Sequence, residues 1–122
     1  MKPETREWVD MSDVDLQTAQ ATLERDLYAP CVFHSQQAVE KMLKAVWVER
    51  GHKDPPPYTH NLVDLAQELG LLSADWEDFL RSLSNQAIAS RYAGRDTYDR
   101  AMALQYYERS LGLCGQLRQT MR

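Results

Sequence analysis

The chain has 122 residues, 43% of them hydrophobic and 26% charged, the size and balance of an ordinary globular domain with room for a real core. Its net charge of −4 excludes a protein that grips nucleic acid through an overall positive field, though not one with a local basic cluster. Two distant cysteines, Cys31 and Cys114, with no CxxC and no His at ligand spacing, exclude a zinc site and a disulfide scaffold.

The start, Met1 to Glu7, is polar and acidic rather than a signal peptide, and no apolar run approaches membrane-spanning length. A cytoplasmic protein without membrane contact, metal or cofactor is the expectation. Pro3 suits the first turn of a helix, and the spacing predicts a helix from there to about Leu27. Trp8, Val9, Leu16, Ala19, Leu23 and Leu27 share one face. Asp15 lies at its edge, where a carboxylate either reaches water or meets a base.

A second helix is predicted from Tyr28-Ala29-Pro30 to about Arg50, with Pro30 early enough to need no donor and Gly51 as the stop. Its stretch Phe33 to Ala45 is the most strongly patterned in the chain. Val32, Val39, Met42, Leu43 and Val46 form a broad apolar face, and Gln37, Glu40 and Lys44 form a polar stripe opposite. That stripe is expected to face solvent or a partner. It serves either to keep a central helix soluble or to line a groove.

The run His52 to His60 contains three consecutive prolines and predicts a stiff extended loop within a single domain spanning 1–122. Asn61 is placed to cap a short helix, Leu62 to Leu69, that ends at Gly70. Ser73 is placed to cap the next helix, whose seam is Trp76, Leu80, Leu83 and Ala87. Arg91 continues that seam and is expected to emerge facing the bundle. Gly94 marks a turn, after which Asp96 or Thr97 is expected to cap a last helix reaching about Gln119. Its core arc holds Met102, Tyr106, Leu113, Cys114 and Leu117, with Tyr98 outside it, in line with Gln105 and Arg109. The fold class is therefore all-α, an antiparallel up-and-down bundle of about five helices.

Catalytic stock is thin. The chain has no HExxH, no phosphate-cradling glycine loop and no GxSxG. His34 lies on a helix flank and reads as structural or solvated. His60 sits between the proline loop and a helix cap, where an imidazole commonly bonds backbone to pin a turn. The polar constellation that stands out is Ser90 to Tyr98, with Arg91, Arg95, Asp96, Tyr92 and Tyr98 at a helix–turn–helix junction. Two readings stay open there. Both arginines grip a phosphate in a fork, or Arg and Asp clasp each other across the turn with Tyr92 beneath.

Three blocks, Gln36-Gln37-Ala38-Val39-Glu40-Lys41-Met42-Leu43-Lys44-Ala45, Thr59-His60-Asn61-Leu62 and Ser90-Arg91-Tyr92, resemble a HEPN domain (higher eukaryotes and prokaryotes nucleotide-binding) over nearly the whole chain. The resemblance implies a helical bundle that often dimerises and is often encoded beside a minimal nucleotidyltransferase. Many such domains are metal-independent ribonucleases with an Arg and, four to six residues later, a His. The His moves protons and the Arg steadies phosphorane charge. In one branch a Tyr two residues past the His is adenylylated by the partner.

Arg91 matches that arginine and Tyr98 falls at the tyrosine's register, but Asp96 stands where the His belongs. An ionised aspartate has no proton to donate and repels phosphate. The expectation is therefore a non-catalytic, nucleotide- or partner-binding subunit, a homodimer, of a toxin–antitoxin-like HEPN/nucleotidyltransferase system. Its ligand, a nucleotide or RNA, would be held near Arg91, Tyr92, Arg95, Lys44, Gln37 and Glu40, with Tyr98 the candidate for modification. The alternative is a ribonuclease with a degenerate Arg91–Asp96–Tyr98 site.

Overall fold

The computed structural model describes residues 1–52 and 54–122; Lys53, part of the predicted proline loop, lies outside the described residues. The helices are α1 (Pro3–Glu24), α2 (Tyr28–Glu49), α3 (Leu62–Glu68), α4 (Ala74–Ala89) and α5 (Arg100–Gln119), with a single 3-10 turn at Ser90–Tyr92.

The four long helices alternate in direction. Thr5 bonds Glu49 and Ser12 bonds the carbonyl of Ala38 at 2.7 Å, which sets α1 antiparallel to α2. Ser82 meets Tyr106 while Gln86 meets Tyr98, which sets α4 antiparallel to α5. α3 is a short element in the α2–α4 connection, joined to α4 by Leu62 N–H donating to Ser84 Oγ. The architecture is the expected up-and-down helical bundle.

α2 lies at its centre because its apolar arc is the widest. Val39, Met42, Leu43 and Val46 are buried with Leu62, Leu65, Leu80, Leu83, Leu113 and Leu117 in the main core. A second, smaller cluster forms where the C-terminal end of α1, the start of α2 and the start of α5 meet, around Leu23, Cys31, Val32, Tyr98 and Ala103.

Several boundaries depart from expectation for local reasons. α1 stops three residues short of Leu27, because Thr22 O accepts from both Arg25 N and Leu27 N and Asp26 turns the chain at φ 61°. Ser73 occupies the N-cap position of α4 without a side-chain cap bond, whereas Asn61 does cap α3 through Asp64 N. The last helix is capped by Asp99, whose carboxylate accepts from Met102 N at 2.8 Å, rather than by Asp96 or Thr97. That later start leaves Tyr98 ahead of the helix and turned inward, 5% exposed, instead of on the outer face. Met102, assigned to the core arc, is 42% exposed.

Leu83 has no exposed surface. Leu83→Ala is therefore expected to cost about 2–5 kcal/mol, seen in urea titrations as a lower midpoint with an unchanged slope.

Candidate functional site

α4 gives way to the 3-10 turn at Ser90 because Ala93 is extended, with ψ 137°, and the helical ladder cannot continue. The tightened turn throws Arg91 toward α2. Its guanidinium lies 5.1 Å from the centroid of the Phe33 ring, a cation–π contact that fixes the charge without neutralising it. The expectation that Arg91 emerges toward the bundle holds, although its side chain stays exposed.

Phe33 also meets the His34 ring edge-on, at 5.2 Å and 80°. His34 Nδ1 donates to Asp15 Oδ1 at 2.8 Å, and Asp15 Oδ2 accepts from Lys41 Nζ at 2.6 Å. Asp15 has thus met a base rather than reached water. Pro30, Phe33, His34, Ser90 and Arg91 line an open groove of about 430 Å³. A second hollow, of about 460 Å³, continues it past Ala29, Pro30 and Ala93 toward Tyr28, Asp26, Arg95 and Tyr98.

The turn is not held by an Arg–Asp clasp. Among the described residues neither Arg91 nor Arg95 forms an ion pair, and Asp96 is exposed and pairs with nothing. Tyr92 is 82% exposed rather than packed beneath them. The Tyr98 phenol donates to Gln86 Oε1. Burial first, and then the neighbouring Tyr106, push that phenol's pKa up. Any partner that modified Tyr98 would first have to draw it out of this socket.

Lys44, Glu40 and Gln37 are not at this groove. Lys44 lies eleven residues beyond Phe33 along α2, about 16 Å at the helical rise. Nor do they form a solvent-facing stripe: Glu40 and Lys44 are 5% and 6% exposed. Glu40 Oε2 accepts from Lys44 Nζ at 3.2 Å, and Oε1 accepts from Gln36 Nε2 at 3.2 Å and from His60 Nδ1 at 2.6 Å. Gln37 Nε2 in turn donates to Gln36 Oε1 at 2.7 Å. Lys44 Nζ sits between the rings of Trp8 and Tyr58, at 5.7 and 5.8 Å. His60 therefore pins the loop through a carboxylate of α2 rather than through backbone. It also borders a cleft of about 380 Å³ with Arg81 and Asn85.

The sequence model of the HEPN domain matches residues 5–121. The chain belongs to the HEPN domain family. The fold of this HEPN domain is similar to that of the TT1696 protein of Thermus thermophilus, with TM-score 0.87, 24% identity, and 97% of this chain and 98% of that one covered. It is likewise similar to ST0689, an archaeal HEPN homologue, with TM-score 0.82, 22% identity and both chains covered in full. Comparison with curated proteins finds no match.

Sequence reasoning singled out Arg91 and Arg95 but missed, in this HEPN domain, the assembly of Asp15, Lys41 and His34 that reaches the Arg91 groove through His34. The usable signal was Asp15 on the edge of the α1 face, and it named no partner. It also missed Gln36, His60, Trp8 and Tyr58 as neighbours of Glu40 and Lys44.

The buried groups lend themselves to direct tests. Lys44→Ala leaves the Glu40 carboxylate buried without its lysine and is expected to cost about 3–5 kcal/mol, whereas Lys44→Met combined with Glu40→Gln costs less than the two changes summed. A denaturant double-mutant cycle reads the difference. Burial pushes the Cys31 thiol up to about 11 and the Cys114 thiol up to about 12, only partly offset by hydrogen bonds from Ser35 and Ser12. Both are therefore expected to resist iodoacetamide at pH 8 until denaturant is added; fast native labelling of Cys114 would mean that the bundle opens more readily than its packing implies.

Proposed function

We propose that this HEPN domain holds a phosphate-bearing ligand, a nucleotide or RNA, in the groove between the start of α2 and the turn after α4, as a binding subunit rather than a nuclease. The observation that carries the reading is the pair of guanidinium groups, Arg91 and Arg95, bordering adjoining hollows with no carboxylate assigned to either among the described residues. Arginines that merely tie a turn together are spent on a nearby acid, and Asp96 is in reach by sequence yet unused. A guanidinium held by an aromatic face keeps its fork of donors for an anion. Asp96, in the slot of the ribonuclease histidine, adds no proton donor.

Lys44, Gln37 and Glu40 then act in the fold and outside the ligand site. The family resemblance extends the reading to a cytoplasmic homodimer working with a minimal nucleotidyltransferase in a toxin–antitoxin-like pair. Dimerisation is checked by light scattering, and the pairing by mass added to Tyr98 when ATP and a cognate transferase are supplied.

The competing reading is a metal-independent ribonuclease. Asp96 alone supports it poorly, but His34 borders the same groove as Arg91, so an imidazole is present that the Arg–Asp spacing did not supply. Incubation with tRNA and mRNA in EDTA separates the two. Under the binding reading RNA stays intact. Cleavage that disappears in both Arg91→Ala and His34→Ala would replace it with the nuclease reading. Under the binding reading, nucleoside 5′-monophosphate affinity falls about tenfold or more in Arg91→Ala and further in Arg91→Ala/Arg95→Ala. Calorimetric titration measures both.

A further inference from the structure

Asp15, Lys41 and His34 form an assembly that the phosphate reading does not yet use. Asp15 is nearly buried, with 8% of its side chain exposed, and its two oxygens are taken by different donors, Lys41 Nζ at 2.6 Å and His34 Nδ1 at 2.8 Å. Lys41 supplies the positive charge that the carboxylate needs, so the acid stays anchored whichever charge the imidazole carries. With Nδ1 bound to the acid, the other ring nitrogen, Nε2, has no partner among the described residues. The ring is part of the groove wall, and 29% of its side chain is exposed. Phe33 touches both the imidazole and the Arg91 guanidinium, so one phenyl ring spaces the two groups.

We propose that this groove selects a terminal phosphate on a mononucleotide-sized ligand, with His34, as the imidazolium whose Nε2–H donates while Nδ1–H stays on Asp15, as the second phosphate contact and Asp15 and Lys41 as the residues that position it; this rests on the phosphate reading above. The number of free phosphate oxygens makes the selection. A guanidinium fork engages two of them. An internal phosphodiester has only two that are not ester-linked, whereas a terminal phosphate keeps a third, and a larger negative charge, for a second contact.

The adjoining hollow agrees with a ligand that ends. Tyr28, Pro30 and Tyr98 give it an apolar wall, and its size suits a small molecule. Asp26 closes the far side, its carboxylate accepting from Tyr28 at 3.1 Å.

The experiment is calorimetric titration of the whole chain with adenosine 5′-monophosphate, its 5′-phosphate methyl ester, and a short oligoribonucleotide with and without a 5′-phosphate. Native protein is expected to prefer the monoester over the methyl diester by about tenfold or more, the worth of one hydrogen bond to a charged group. The 5′-phosphorylated oligonucleotide should show the same preference over its 5′-hydroxyl form if its end enters the groove. His34→Gln and His34→Ala, each confirmed helical by circular dichroism, are expected to bring monoester and diester within about threefold of each other, and Asp15→Ala, confirmed in the same way, to do the same through a ring no longer held.

A native protein that binds both esters equally overturns the inference, as does a His34 variant that keeps the preference. In either case a loss of all binding in Arg91→Ala leaves the phosphate reading standing. Failure of every one of these ligands to bind native protein, or binding indifferent to Arg91, removes the phosphate reading and this inference with it.

Discussion

A carboxylate inside a helical bundle must be given partners, because an isolated buried charge is costly enough to unfold a small domain. α2 meets this demand twice with the same parts. Asp15 is held by Lys41 and the Nδ1 of His34, and Glu40 is held by Lys44 and the Nδ1 of His60. The first assembly ties α1 to α2, and the second ties the chain after the proline loop to the same helix. Since α2 also carries the widest apolar face, the position of every other element refers back to it. In both assemblies the imidazole borders an open cleft.

Cations committed to buried acids are held in the fold, whereas those of the candidate site are not. Lys41 and Lys44 are paired at close range with buried acids, and Arg118 and Arg100 reach Asp13 and Asp26. Arg91 and Arg95 have no such partner among the described residues, although Asp96 is adjacent in sequence. Arg6, Arg25, Arg50, Arg109 and Arg122 also lack an acid among the described residues, so what distinguishes Arg91 and Arg95 is the pair of adjoining hollows they line. Phe33 offers Arg91 a resting place that retains its charge, and retention of charge is what an anion site requires.

The elements of the fold were legible because each depends on local sequence. The apolar periodicities of α2 and α4, the Asn61 cap and the Gly51 and Gly70 stops act within one or two turns, and both glycines do take positive φ, 77° and 68°. Asp99 was passed over as a cap because Asp96 and Thr97 are equally good side chains, and only the length of the turn decides among them. That slip of one turn carried Tyr98 from the surface to the interior. The polar stripe was misread for a related reason. Periodicity shows that Gln37, Glu40 and Lys44 share a side of α2, but not that Trp8 of α1 and His60 pack against it.

The site itself was half legible, and the missing half is instructive. A motif written as spacing assumes that both reactive groups lie on one stretch of chain, so Asp96 in the histidine slot reads as the loss of the imidazole. In a bundle, a turn after α4 and the first turns of α2 meet side by side, and α2 returns an imidazole to the arginine from a distant part of the chain. The two arrangements differ physically. A motif histidine sits on the same stretch of chain as its arginine, whereas His34 is fixed from α2 by a lysine-anchored carboxylate of α1. Rigid placement favours recognising one phosphate geometry over following a substrate through changing ones. That preference is why the groove is read as a selective binding site even though it contains an acid–base group.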